Sequence, residues 1–264
     1  MKSTHRPQRV LSGLFVALIT GMCLSASVTP ARAGTPAPGK IVVANDDWTL
    51  DTGFFPPNDP AVFVANVTDW FTGGRPGRFL AYSNNHGVTS PLLADAVHAA
   101  GHSWTVSTAL PFDMPTLLGY DGVFVGGYHA DNQVLTDYVN AGGNVYAFGG
   151  TGDLGTAADE ASAWNPFLAH FGLAFDGARF NGVQYTIPIN SDHPIFAGVD
   201  HLYQDNGSSV LDLDPQDPRN RVLVSYQGQG LYGVYDPYPV PEPGTLALLA
   251  GPAGVLLAVR RRRA

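Results

Sequence analysis

The sequence predicts an α/β domain whose mostly parallel sheet is covered on both faces. Three observations predict it. The short apolar runs Lys40–Ala44, Phe79–Tyr82, Val123–Val125 and Val145–Phe148 do not alternate with polar residues, as expected of strands buried on both sides. Each is followed by a polar or glycine-rich exit and then by apolar residues at helical spacing, which is the rhythm of βαβ units. Residues 34–239 are also numerous enough to form one domain with a full core.

In chain order, Lys40–Ala44 is a strand that exits through Asn45-Asp46-Asp47-Trp48. Asp59-Pro60 reads as a helix cap and first position, with Val62, Phe63, Asn66, Val67 and Trp70 at helical spacing. The strand Phe79–Tyr82 leaves through the polar loop Ser83–Gly87. Leu92, Leu93, Ala96, Val97 and Ala100 then mark a helix stopped by Gly101, and Trp104–Val106 is a third strand. Val123–Val125 runs into Gly126-Gly127-Tyr128-His129, residues 132–140 give a helix, Val145–Phe148 exits through Gly149–Asp153, and residues 158–171 give another helix. Val183–Ile189, Val210–Leu213, Arg221–Tyr226 and Leu231–Tyr235 are expected to extend the same sheet. No internal repeat is found.

The first 33 residues have the layout of a secretory signal peptide: Lys2, Arg6 and Arg9, then the apolar Val10–Val28, then Ala31-Arg32-Ala33 before a cleavage point at Gly34. A retained membrane helix is the alternative. Cys23 is the only cysteine, and Met22 before it spoils a lipobox. A chain starting at Gly34 therefore has no disulfide, thiolate nucleophile or cysteine metal site. Residues 34–239 hold 6 basic residues against 21 acidic ones, a net of −15, compared with −8 for the whole chain. Such a surface repels phosphates, which argues against nucleic acid as a partner.

Residues 240–264 combine Val240-Pro241-Glu242-Pro243, an apolar stretch of 16 residues from Gly244 to Val259, and Arg260, Arg261, Arg262 and Arg263. The stretch is just short of a full span, and the arginines place its end on the cytoplasmic side. This arrangement resembles the PEP-CTERM sorting signal of Gram-negative bacteria. An ordinary anchor with a proline-rich neck is the alternative. The resemblance implies a hydrophobic sorting helix removed by an exosortase after signal peptidase has acted, transient residence in the inner membrane, and delivery to the cell surface or extracellular matrix. It also implies a setting of extracellular polysaccharide.

Tyr120-Asp121-Gly122-Val123-Phe124-Val125-Gly126-Gly127, then Ala141-Gly142-Gly143-Asn144-Val145-Tyr146-Ala147-Phe148-Gly149-Gly150, and later His193-Pro194-Ile195-Phe196-Ala197-Gly198-Val199, resemble the class I glutamine amidotransferase-like fold. The likeness covers residues 78–235 and lies in the order of the segments more than in any one motif. It implies a flavodoxin-like three-layer sandwich. The family's cysteine nucleophile belongs at the turn where Phe148 stands, and residues 34–239 contain no cysteine, so amidotransfer by the family route is excluded.

In an open parallel sheet, ligands bind where loops leave the carboxyl ends of the strands. The exits would bring Asp46, Asp47, Asn85, His86, His129 and Asp153 to one edge, where carboxylates and imidazoles support acid–base hydrolysis or hold a sugar. The plainer reading is that these residues cap the following helices and face solvent. Ser83 and Ser90 lack a Gly-x-Ser-x-Gly elbow. His98 and His102 are four apart but lack the glutamate of a zinc motif, and Asp212, Asp214 and Asp217 do not make an Asp-x-Asp-x-Asp-Gly calcium loop. No cofactor is implied. Trp48, Phe54, Phe55, Trp70 and Trp104 are the aromatics from which a sugar platform would be drawn. Two functions follow: an exported, non-enzymatic binding or structural protein associated with extracellular polysaccharide, or a cryptic hydrolase of carbohydrate or peptide at the strand exits.

Overall fold

The structure is a computed structural model and describes residues 37–54 and 56–239. The expected signal peptide and sorting segment lie outside the described residues. No helix among the described residues is long and apolar enough to cross a membrane.

A seven-stranded sheet carries the fold. Its strands β1 (Ile41–Ala44), β2 (Arg78–Tyr82), β3 (Ser103–Val106), β4 (Gly122–Val125) and β5 (Asn144–Phe148) are mutually parallel in the order β1-β5-β4-β2-β3. This mostly parallel α/β sheet is consistent with a flavodoxin-like fold. β1, β4 and β5 are buried along their whole length, which is why their sequences are unbroken apolar runs instead of alternating ones.

Two separate cores account for that burial. On one face, α1 (Pro60–Thr72) and α3 (Pro91–Ala99) bury Phe63, Val67, Phe71, Leu93 and Val97 against Val42, Phe79, Phe124 and Tyr146. On the other, α5 (Asn132–Asn140) and α6 (Ala157–Leu168) bury Leu135, Tyr138, Trp164 and Phe167 against Ile41, Leu80, Val123 and Val145. Successive residues of each strand thus feed alternate cores. The β2 connection runs over the first face and the β4 connection over the second, so these neighbouring strands open a crevice at their carboxyl ends.

The C-terminal third corrects the expected pattern. Only β10 (Asn220–Tyr226) and β11 (Gln229–Tyr235) join the main sheet, antiparallel, with β11 against β1. Val183–Ile189 and Val210–Leu213 do not extend it. They lie in β7 (Gln184–Pro188), paired with β8 (His201–Asp205), and β9 (Ser208–Asp212), paired with β6 (Leu173–Phe180), each pair a sheet of its own. β11 already occupies the free edge of β1. The extra pairs instead cover the faces: Ile187 and Leu202 join the α1 core, and Phe175 and Val210 the α6 core. β6 and β8 are strands the apolar pattern does not reveal.

Candidate functional site

The exit of β1 is set by a buried acid. Asp46 caps a 3-10 turn (Asp47–Leu50) by accepting the Trp48 N–H at 2.8 Å, and its other oxygen accepts the Asp205 N–H at the end of β8. It is fully buried. Burial, then the neighbouring Asp47, pushes its carboxyl well above the ordinary range. Asp46 therefore faces the interior and ties the β7–β8 pair to the β1 exit; it does not line the open crevice.

Asp47 is also buried, and burial raises its carboxyl, with the Asn85 amide and His86 opposing the rise. Asn85 Nδ2 donates to Asp47 Oδ2 at 2.7 Å and to Asp153 Oδ2 at 3.2 Å, so one amide bridges two carboxylates from three strand exits. Asn85 Oδ1 meanwhile accepts the Gly87 N–H at 2.8 Å and caps α2 (His86–Thr89), a short helix where a loop was expected. His86 is half exposed; its Nε2 stands 3.4 Å from Asp51 and 3.8 Å from Asp47. The Trp48 ring meets the imidazole edge to face at 4.7 Å.

Above this layer lies a crevice of about 470 Å³ lined by Asn84, Asn85, His86, Gly127 and Asp153. Gly127 has φ +61°, and a Cβ there would stand 2.6 Å from Asp153 Oδ2, so any side chain would disrupt that wall. Its neighbour Gly126 lies against the buried Phe148 ring, which a Cβ would meet. Phe148, the last residue of β5, thus fills the floor beneath Gly126 with apolar volume.

The exits accordingly bring together Asp47, Asn85, His86 and Asp153. His129 is exposed on the β4 exit and is not among the residues lining the crevice, and Asp46 is turned inward. Helix capping explains Asn85 only in part, because its amide nitrogen serves the carboxylates. Ser83 is buried and spends its hydroxyl on Gly126 O at 2.6 Å, while Ser90 caps α3. His102 is buried between the Gly77 N–H and Asp69, apart from the exposed His98. Asp212, Asp214 and Asp217 are occupied by Asn220, Gln216 and Arg219. No group of three or more acidic, histidine or cysteine side chains suited to a metal is present among the described residues.

Sequence reasoning missed Asp51, which faces His86, and Glu160 of α6. Glu160 is fully buried and accepts Gly150 N–H at 2.7 Å, Thr151 N–H at 2.8 Å, Thr151 Oγ1 at 2.9 Å and Ser208 Oγ at 2.8 Å, fixing the β5 exit beside the crevice. Its signal was compositional: it is the lone glutamate of residues 34–239, in the first turn of a helix. Trp70 and Trp104 belong to the packing of α1 and β3, while Trp48 touches His86 of the crevice wall; Phe55 and the Phe54 side chain lie outside the described residues. Compared with protein-family models, with curated proteins and with solved structures, the chain matches none.

Proposed function

We propose that this chain is an exported, surface-delivered binding protein, built on a degenerate amidotransferase-like, flavodoxin-like three-layer domain, whose crevice holds extracellular polysaccharide. The observation that carries this reading is the crevice itself. Its wall offers an amide, an imidazole and a carboxylate suited to sugar hydroxyls, and residues 34–239 contain no cysteine to serve as the family's nucleophile. β1 and β11 pair with Ile41 opposite Tyr235. Residues 37–39 and 236–239 therefore leave from the strand-start end of the sheet, the end opposite the crevice.

In this reading the signal peptide ends at Gly34, and an exosortase removes the segment after Pro241-Glu242-Pro243. Mass spectrometry of protein recovered from the producing cells tests the processing. Surface forms lacking Arg260–Arg263 are expected, and surface forms retaining them reduce the tail to a plain anchor. A glycan array probed with the protein tests the binding. Signals that Asp153→Ala abolishes are expected, and a silent array removes the reading.

One observation favours the hydrolase as a second reading: the half-exposed His86 imidazole beside Asp51 at 3.4 Å is an acid–base pair at the crevice mouth. Steady turnover of a glycan or peptide that His86→Ala abolishes would establish it in place of simple binding.

A further inference from the structure

Tyr185 breaks the rules of its own strand. In the β7–β8 pair, Ile187 opposite Leu202 is buried on both sides, and two residues away Tyr185 stands opposite the fully buried Gln204. Residues directly opposite share a face, so Tyr185 belongs inside with Gln204. Instead it has φ +74° and is 67 % exposed, the most exposed of the large hydrophobic residues among those described. A bulky residue in the left-handed region is strained, and such strain persists where something other than stability keeps it.

The ring it presents extends a series that starts at the crevice. His86 and Trp48 are in edge contact at 4.7 Å, and Trp48 and Tyr203 of β8 are tilted at 6.2 Å. Tyr185 is the residue before Thr186, which stands directly opposite Tyr203 in the β7–β8 ladder. Both segments that carry these rings hang on Asp46, through the Trp48 and Asp205 N–H groups, so the strip is held in register with the crevice. Asp51 and Asp153 lie along this path, and the crevice wall contains no lysine or arginine.

We infer that Trp48, Tyr203 and Tyr185 form a stacking strip that continues the crevice into an extended cleft for a neutral hexopyranose chain of several units. A pyranose has an apolar C–H face and an equatorial rim of hydroxyls. The strip matches the first and the Asn85–Asp153–His86 wall the second. The flanking carboxylates repel uronate and sulfated chains. Asp46 is a positioning residue for the strip and touches no sugar.

This inference rests on the binding reading above and is tested so that the two separate. The full chain, in a zwitterionic detergent with no sugar headgroup, is titrated with cellotriose, cellohexaose, a hexagalacturonate and denatured casein. Wild type is expected to hold cellohexaose about tenfold more tightly than cellotriose, the scale of one well-buried aromatic contact, and to ignore hexagalacturonate. Tyr185→Asn suits a left-handed φ, so it should melt at or above the wild-type temperature and yet hold the two neutral sugars equally. Trp48→Phe keeps an aromatic ring and retains part of the preference. Asp153→Ala should weaken both sugars alike. If wild type binds both sugars through Asp153 with no preference for length, or Tyr185→Asn keeps the preference, the strip falls and the crevice stands. If no sugar binds, or casein binds in its place, both fall.

Discussion

Asn144, at the start of β5, and Asn45, at the exit of β1, are buried asparagines of one sheet used in opposite ways. Asn144 accepts the Lys40 N–H at 2.9 Å and donates to Asp121 O at 2.6 Å and Phe71 O at 3.4 Å, locking the strand starts of β1 and β5 to the turns around them. Among the described residues neither side-chain polar atom of Asn45 has a hydrogen-bond partner, and the same holds for Gln204 Oε1 and the Tyr146 hydroxyl. At the starts of β1 and β5, Asn144 thus has every polar side-chain atom paired. Around Asp46 the chain buries polar groups at a cost to stability, which a sequence selected for stability alone would replace with apolar residues. The exceptions at this end are the groups that shape the crevice wall, Glu160 above all.

The largest expected effect comes from removing that exception. Glu160→Ala takes the acceptor from four donors at the β5 exit, one buried and three part-buried, and urea unfolding should show a loss of about 3–4 kcal/mol. Glu160→Gln keeps one acceptor and should lose less. If Glu160→Ala costs under about 1 kcal/mol, the β5 exit is not held as described.

The two asparagines give the next test. Asn144→Ala should cost about 2–3 kcal/mol, since it strips partners from three backbone groups, while Asn45→Ala should cost about 1 kcal/mol or less because only packing is lost. Equal urea midpoints for the two variants would erase the contrast between the ends.

Titration should separate the ends too. His193 sits near the strand starts, edge-on to Trp70 at 5.1 Å, with its Nδ1 accepting the Ile195 N–H. Burial, then Arg221, lowers it from 6.5 to about 4. Below pH 6.5 the unfolded chain binds a proton that the folded chain refuses, so stability is lost as pH falls from 6.5 toward about 4. His193→Asn keeps a capping acceptor, and its stability should fall less over that range. Parallel curves for the two proteins would mean that His193 is not held neutral.

The fold was legible where one local pattern has one solution. Val123–Val125 and Val145–Phe148 could only be doubly buried strands, and residues 132–140 match α5 residue for residue. The β6–β9 and β7–β8 pairs were not legible, because their pairing depends on distant partners and their burial is partial. β8 hides its strand character behind His201, Gln204 and Asp205, although Gln204 is buried in a network with Thr49 and Tyr232. At the site, the rule that ligands meet strand ends found Asp47, Asn85, His86 and Asp153. It could not say that Asp46 turns inward, because a one-residue step in a 3-10 turn decides that. It also could not reach Asp51 or Tyr203, which enter through turn and hairpin geometry.

The smallest effect sharpens the comparison most, because its sign is opposite to that of His193. Asp47 keeps one oxygen on Asn85 and is buried beside the Asp46 carboxyl, and burial raises its carboxyl above the ordinary 3.8. Between pH 3.8 and that raised value the folded chain holds a proton the unfolded chain has released. Its contribution is therefore present in full below pH 3.8 and is lost as pH rises through the folded value. Asp47→Asn stays neutral and can still accept from Asn85 through its amide oxygen. At pH 7 the variant should match or exceed wild type by about 1 kcal/mol, and the gain should vanish near pH 3.5, where wild type is neutral as well. Differential scanning calorimetry at pH 3.5, 5 and 7 reads this directly. A variant less stable than wild type at pH 7 would show that the buried carboxylate is an asset to the fold, and the two ends of the sheet would then obey one rule.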